Sequence, residues 1–413
     1  MQLKTILNRI EKQPGFVYQR ARFVGTAIEV DIRARANTRG KCGRCGQAGP
    51  GYDHLPARRF EFVPLWGIKV FLVYSLRRVN CRRCGIIGAE QVPWASGKDR
   101  LTHSYVWFLS RWARRLSWAE VGRIFHSNWS TVCRAVEVAV AWGREHLDLE
   151  AIEAIGIDEV HWGRGQRYLS VIYEIGNRRR LLWVGHGREE RSVAGFFEWL
   201  GTERTKRIKF VCSDMFRAYV KAIGAQLPHS VHVLDRFHIT QKLSIALDLV
   251  RAGEARRLKQ QGREPVLTHT RWCLLKQPRN LTGKERNRLR ELLQYNIRTV
   301  RAYLLKQDLQ WLWQYKSPLW AGKFLDRWCT QVMRSRIEPM QKVAKSLRRH
   351  RSQILNWFEA RGLIALGATE GFNNKLKLTT RKSYGFRSRR VVELALYHAL
   401  GGLPEPARTH EFC

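Results

Sequence analysis

The chain has 413 residues, 44% of them hydrophobic, enough to bury the cores of two to four domains. Its formal net charge is +39, an excess that no fold requires and that a polyanionic partner explains. No apolar run approaches the roughly 18 residues a membrane span needs, and MQLKTILNRIEKQPGF lacks the long apolar stretch of a signal peptide, so neither is expected.

Residues 1–24 form a basic lead-in of low information. TAIEVDIRARAN alternates Ile28, Val30 and Ile32 with polar residues, the period of a strand, and runs into KCGRCG with Cys42 and Cys45. RFEFVPLWGIKVFLVYSLRRV is strand-rich and runs into NCRRCG with Cys81 and Cys84. The cysteines number nine, an odd count, and four of them form two C-x-x-C pairs, which points to a reducing compartment and to metal rather than disulfides. Two such knuckles, each approached by a strand, read as a zinc ribbon whose four thiolates close a tetrahedral structural site. Arg77, Arg78, Arg82 and Arg83 around the second knuckle suit phosphate contact; a solvated basic turn is the alternative.

Residues 101–146 carry helical periodicity. LTHSYVWFLSRWARR and SWAEVGRIFH are followed, after a short break, by TVCRAVEVAVAWGREH, the layout of a helix-turn-helix. Val132, Val136 and Val140 are expected inward and Thr131 and Arg134 outward, to read DNA; a helical linker is the alternative.

From Ala154 the order is strand, strand, strand, helix, strand, helix, strand: AIGIDEVHWG, RYLSVIYEIG, RRRLLWVGHG, RSVAGFFEWLGTER, IKFVCSDMF, RAYVKAIGAQL and SVHVLDRFH. Asp158 and Asp214 fall at strand positions, where an acid is costly unless paired, hydrogen-bonded or bound to metal. Glu159 points to the opposite face of its strand from Asp158, so the two cannot serve one site; Asp158 is the choice because it stands beside Gly156, where something can approach. The stretch 253–365 is helical and rich in Arg, Lys, Leu and Trp, an insertion whose tryptophans read as core more than as stacking platforms. ATEGFNNKLKLTTRKSYGF then starts a helix with Glu370 in its first turn and Asn373, Asn374 and Lys377 on the same face. RVVELALYHALGG closes the fold as a helix, and LPEPARTHEFC is a tail. The expected divisions are 1–98, 99–148, 149–252, 253–365, 366–402 and 403–413.

The strand and helix order resembles the RNase-H-like fold, and GIDE, SDMFRAY, LDRFH and EGFNNKLK resemble the bacterial insertion-sequence DDE transposases of the ISL-three family, with EGFNNKLK and RKSYGFR the most specific pieces. The resemblance implies a catalytic triad of Asp158, Asp214 and Glu370 holding Mg²⁺, with Mn²⁺ as substitute, and an Asp-x-x-His signature at Asp235 and His238. A structural hydrogen bond between those two is the first reading and active-site support the second. It also implies a zinc-bound ribbon, and an α/β RNase-H-like core carrying an all-α insertion behind the ribbon and the helix-turn-helix. The implied function is DNA transposition: hydrolysis at the element's terminal inverted repeats, then strand transfer into double-stranded target DNA, by a homodimer or higher oligomer in the cytoplasm at the nucleoid. Asn374 and Lys377 are expected to touch DNA beside Glu370. The rival readings are a non-catalytic DNA-binding regulator and an RNase-H-like junction nuclease.

Overall fold

The computed structural model describes residues 2–163, 165, 167–176, 178–263, 265–360, 368–382 and 388–407, without the side chains of 368–370, 373, 381 and 382. The protein is a mixed α/β chain of two compact units, one of Met1–Leu147 with Thr379–Cys413, the other of Asp148–Leu378.

The first unit opens with α1 (Leu3–Ile10) and strands β1 (Phe16–Val24) and β2 (Ala27–Ala34). The short β3 (Gly40–Lys41), β4 (Ala48–Gly49) and β5 (Gly51–His54) precede β6 (Arg58–Leu65), β7 (Ile68–Tyr74), β8 (Arg77–Cys81) and β9 (Ile86–Ala89). One sheet has the order β1-β2-β7-β6, a second β5-β8-β9. Val30, Val70 and Leu72 are fully buried on the first sheet. Trp94 packs edge-on against Phe16, Phe60 and Tyr74, and such ring pairs add to what their buried area contributes.

Three helices follow: α2 (His103–Arg115), α3 (Trp118–Ile124) and α4 (Trp129–Glu145). Their starts are set locally. Thr102 caps α2, Ser117 and Glu120 form a reciprocal capping box on α3, and Asn128 caps α4. Val132, Val136 and Val140 are buried on α4, one turn apart along one stripe.

The second unit carries a five-stranded sheet of β10 (Ala154–His161), β11 (Tyr168–Glu174), β12 (Leu181–His186), β13 (Phe210–Ser213) and β14 (Val231–Leu234). Its order is β12-β11-β10-β13-β14. The β10–β11 and β11–β12 pairs are antiparallel, while β10–β13 and β13–β14 are parallel. The chain passes from β12 to β13 through α5 (Glu190–Leu200) with the short α6 (Thr202–Thr205), and from β13 to its parallel neighbour β14 through α7 (Arg217–Gln226). Parallel strands need such crossovers, and their burial on both faces explains the near-continuous apolar runs. On α5, Val193, Phe196, Phe197 and Leu200 are all buried; each such side chain contributes about 1.5–3 kcal/mol on burial.

From β14 the chain enters the 25-residue α8 (Arg236–Gln260). Helices α9 (Arg271–Leu275), α10 (Gly283–Leu292), α11 (Arg298–Leu309), α12 (Pro318–Arg334), α13 (Glu338–Arg349) and α14 (Arg351–Glu359) follow. The insertion is tied back to the sheet where Asn356 on α14 donates to the His232 carbonyl on β14, at 2.9 Å. Its tryptophans divide. Trp313, Trp328 and Trp357 are buried, whereas Trp272, Trp311 and Trp320 are exposed.

Then come α15 (Ala368–Lys382) and α16 (Arg389–Leu400). The sequence groups 366–402 with the catalytic core, but Thr379–Cys413 belongs to the unit of the N-terminal domain. The reason is packing: Arg390 on α16 pairs with Glu137 on α4, Arg144 on α4 covers the Tyr397 ring at 4.2 Å, and the tail's Glu405 pairs with Arg111 and Arg114 on α2.

Candidate active site and metal centre

Register brings three carboxylates together. Ile157 on β10 pairs with Ser213 on β13, and Ser213 pairs with Leu234 on β14. The next residue on each of these parallel strands is an aspartate: Asp158, Asp214 and Asp235. Asp158 within β10 therefore lines up with Asp214 and Asp235 just past the carboxyl ends of β13 and β14, the place where open α/β sheets hold ligands.

Asp158 is 7% exposed and accepts from the Glu159 backbone N–H at 2.7 Å. Burial pushes its carboxyl up to about 6; His238 and that N–H pull it down, while Asp214 and Asp235 raise it. Asp214 accepts from the Phe216 N–H at 2.9 Å, and Asp235 caps α8 by accepting from the Phe237 N–H at 2.8 Å. His238, in the first turn of α8, directs Nε2 at the Asp158 carboxylate, 3.8 Å away. The imidazole thus reaches an acid two strands away, past β13, from the strand that leads into its own helix.

Glu159 lies on the other face. Its strand partner Ser170 shares a 2.8 Å hydrogen bond with Tyr219 on α7, and Glu159 itself pairs with Arg188 at 3.5 Å.

Gly156, two residues before Asp158, leaves room for a ring. A Cβ there would lie 2.3 Å from Tyr173 Cζ, an impossible approach. Tyr173 in turn stacks on Phe372 of α15, centroids 4.4 Å apart and planes 21° apart. The Glu370 helix is thereby fixed on the Asp158 face, with Glu370 in its first turn; the Glu370 side chain lies outside the described residues. Asn374 and Lys377 are exposed further along α15.

The raised Asp158 pKa has a stability consequence. A carboxyl whose folded pKa exceeds its unfolded value, about 3.9, binds more protons folded than unfolded between the two values, so it makes the metal-free protein less stable as pH rises from about 4 to 6. Thermal unfolding in chelator is expected to show parent stability falling relative to Asp158→Asn over that range, by roughly 2–3 kcal/mol at most. Parallel curves for the two proteins would contradict the assignment.

In the first unit, Cys42, Cys45, Cys81 and Cys84 place their Sγ atoms within 4.8 Å of one another. Cys45 and Cys81 are 3.6 Å apart. Thiolates about 2.3 Å from a tetrahedral zinc lie about 3.8 Å apart, whereas a disulfide needs about 2.0 Å. Each knuckle closes with the glycine N–H after it bonded to the first cysteine's carbonyl, Gly46 to Cys42 and Gly85 to Cys81, both at 2.8 Å. Those glycines have φ of +72° and +65°, which a residue with a Cβ adopts only under strain. The backbone N–H groups of Arg44 and Cys45 lower the Cys42 thiol to about 7, while the neighbouring thiols raise Cys84. A cluster that divides its charges this way suits a cation, and it could hold a zinc ion.

The arginines at the second knuckle separate by role. Arg77 departs from the expected phosphate contact: it is sequestered, donating to Glu90 at 2.9 and 2.7 Å and to the Thr38 carbonyl at 2.6 Å. Arg78 pairs with Asp53, and Arg82 and Arg83 are exposed. On α4, Arg134 is exposed and pairs with Asp99, while Thr131 is part-exposed and donates its hydroxyl to the cap, Asn128, at 2.7 Å.

A family model described as "Transposase", that of the DDE transposases of the ISL-three type, matches residues 155–396, the span that carries the aspartates and the α15 helix. The chain belongs to that family. It is 30% identical over 364 residues to the transposase for insertion sequence element IS1001 of Bordetella parapertussis, covering 87% of this chain and 89% of that one. It is likewise 30% identical over 409 residues to the transposase for insertion sequence element IS1557 of Mycobacterium tuberculosis, covering 92% and 90%.

Proposed function

We propose that the protein binds the terminal inverted repeats of its own insertion sequence and catalyses metal-dependent cleavage and strand transfer there. The observation that carries this reading is the carboxylate row: Asp158 within β10 beside Asp214 and Asp235 just past β13 and β14, with the Glu370 helix stacked on the same face through Phe372 and Tyr173. The sheet order β12-β11-β10-β13-β14 supports an RNase-H-like core.

Asp158, Asp214 and Glu370 are the residues to hold Mg²⁺ or Mn²⁺; oxygen donors suit such hard cations. Bound there, the ions supply charge against the scissile phosphate and acidify an attacking hydroxyl. The chain's own groups do the rest. The Glu159 N–H orients the Asp158 carboxylate, the Phe216 N–H orients Asp214, and His238 stands beside Asp158 as a positioning group. Hydrolysis breaks a P–O bond and frees a 3′-hydroxyl at the element end; that hydroxyl then attacks a target phosphodiester and displaces the target's own 3′-oxygen.

Recognition belongs to the first unit. Zinc in the four-cysteine site makes it a ribbon, with Arg82 and Arg83 exposed for phosphates, and α3–α4 act as a helix-turn-helix with Arg134 reaching base edges in the major groove. The protein acts as a dimer or higher oligomer that holds two ends. Arg134→Ala is expected to lower discrimination between element ends and random duplex by roughly 10-fold, since a good base contact is worth about 1–3 kcal/mol. Competition binding checks this, and unchanged discrimination would assign Arg134 to the backbone alone. The whole reading is tested by incubating a labelled element end with the parent protein and Mg²⁺ or Mn²⁺. Nicks at the element boundary and joined products are expected; absence of any metal-dependent nick would contradict it.

A further inference from the structure

A cavity of about 440 Å³ lies between the start of α8 and the α9–α11 region, lined by Arg236, Thr240, Lys276, Arg279, Lys306 and Gln310 among others. Four of its lining residues are cations and none is an acid. Lys276 is neutralised by Glu285, 2.5 Å away. Among the described residues no carboxylate pairs with Arg236, Arg279 or Lys306. Lys306 is 4% exposed. Two of its three N–H groups go to the carbonyls of Leu274 and Leu275, at 3.1 and 3.0 Å, which leaves one. The Arg236 guanidinium is half-buried and lies over the Trp313 ring at 5.3 Å. Burial lowers both cations, Lys306 to about 8, with no acid acting against it. Buried cations gathered without counter-charge are costly unless an anion completes them.

We infer that this cavity is a phosphate subsite that holds one backbone phosphodiester of the DNA strand being cut. Position on the chain selects DNA over a free anion. Arg236 directly follows Asp235, at the end of the carboxylate row, and precedes by two residues His238, which faces Asp158. Two helical residues are about 3 Å apart along the axis but point to roughly opposite sides of the helix, so a strand held at the aspartates reaches the cavity by crossing the first turn of α8, a width of about 10 Å or roughly three nucleotides at about 3.4 Å each. A phosphate in the cavity therefore lies within a few nucleotides of a bond held at the aspartates. Arg supplies a planar fork matched to phosphate oxygens, Lys306 a fixed point charge. The register relative to the scissile bond rests on the proposed active site; the subsite itself does not.

The test replaces single phosphates of the element-end strand with neutral methylphosphonates and measures binding without added Mg²⁺ or Mn²⁺ and without chelator, so that cleavage plays no part and the cysteine site keeps its metal. With the parent protein, one position near the cut is expected to lose about 10-fold in affinity. Arg236→Ala and the exposed Arg279→Ala should each bind unmodified DNA more weakly, flatten the salt dependence by about 0.9 for the lost contact, and become insensitive to methylphosphonate at that position. Arg236→Lys should restore part of the sensitivity. Identical methylphosphonate profiles for parent, Arg236→Ala and Arg279→Ala would overturn the inference. So would inorganic phosphate alone raising the parent's melting temperature, and not that of Arg236→Ala, while the DNA profiles stay identical; that result would assign the cavity to a free anion. Asp214→Ala is run alongside: normal cleavage by it would remove the proposed active site and leave the binding profile to decide the subsite.

Discussion

Asp158→Ala is expected to abolish metal-dependent cleavage of element ends, by roughly 10³-fold or more, while Glu159→Ala retains appreciable cleavage. The two residues are neighbours in sequence and differ in face. Asp158 shares its face with Gly156, Tyr173 and the stacked α15, and its carboxylate meets the influence of Asp214, Asp235 and His238. Glu159 faces Arg188 and the Ser170–Tyr219 side of the sheet. Stabilisation of transition-state charge by a bound cation is worth several kcal/mol, each 1.36 kcal/mol being tenfold in rate. Losing a carboxylate proposed to hold the cation would forfeit that stabilisation; losing Glu159 frees a half-exposed arginine. Removing a carboxylate also removes repulsion of phosphate, so binding without added Mg²⁺ or Mn²⁺ should persist. Loss of cleavage in Glu159→Ala with retention in Asp158→Ala would put the site on the other face of β10.

Cys42→Ser and Cys81→Ser are expected to reduce bound zinc from one per chain to well below one and to unfold the knuckle sheets. Cys42 and Cys81 are each about 2% exposed, and the sulfurs they align are spaced for tetrahedral coordination and far apart for a disulfide. Structural zinc contributes about 10–16 kcal/mol in small domains, because the site does not preform in the unfolded chain. One missing thiolate of four leaves the rest too close together to remain charged without a cation. The readouts are elemental analysis of purified protein and loss of end-specific binding, with Asp158-dependent chemistry on unspecific DNA retained, since β10–β14 belong to the other unit. Native protein free of zinc would refute the metal centre.

The sequence made the local features legible and left the long-range ones hidden. Short β-branched stretches bounded by Gly or charge marked β10, β11 and β12, and a near-continuous apolar run marked the buried β13. The C-x-x-C-G pairs marked the cysteine site because the turn chemistry is contained within six residues. Gly156 was legible as a place of close approach, but its occupant, the Tyr173 ring held by Phe372, comes from 17 and 216 residues away. Four arginines around the second knuckle read alike, and only the fold separates them: Glu90 draws Arg77 inside, and Asp53 draws Arg78 along the sheet. The tryptophans of the insertion likewise share a composition and divide by packing alone. The Asp-x-x-His spacing suggested an Asp235–His238 bond, and the His238 backbone N–H does donate to the Asp235 carbonyl at 3.2 Å; what the spacing did not show is that the imidazole reaches Asp158, two strands over on β10. The cationic cavity under Arg236 joins residues from three helices and had no sequence signature.

The most direct test of the proposed site uses Asp214→Ala, whose side chain bonds only a local backbone N–H among the described contacts and whose loss should leave the fold intact. Folded Asp214→Ala protein, verified by parental zinc content and melting temperature, is incubated with a labelled element end and Mg²⁺ or Mn²⁺ beside the parent. The account predicts end-specific binding equal to the parent's without added Mg²⁺ or Mn²⁺ and, with either ion added, no nicked or joined product; parental amounts of nicked DNA would contradict it.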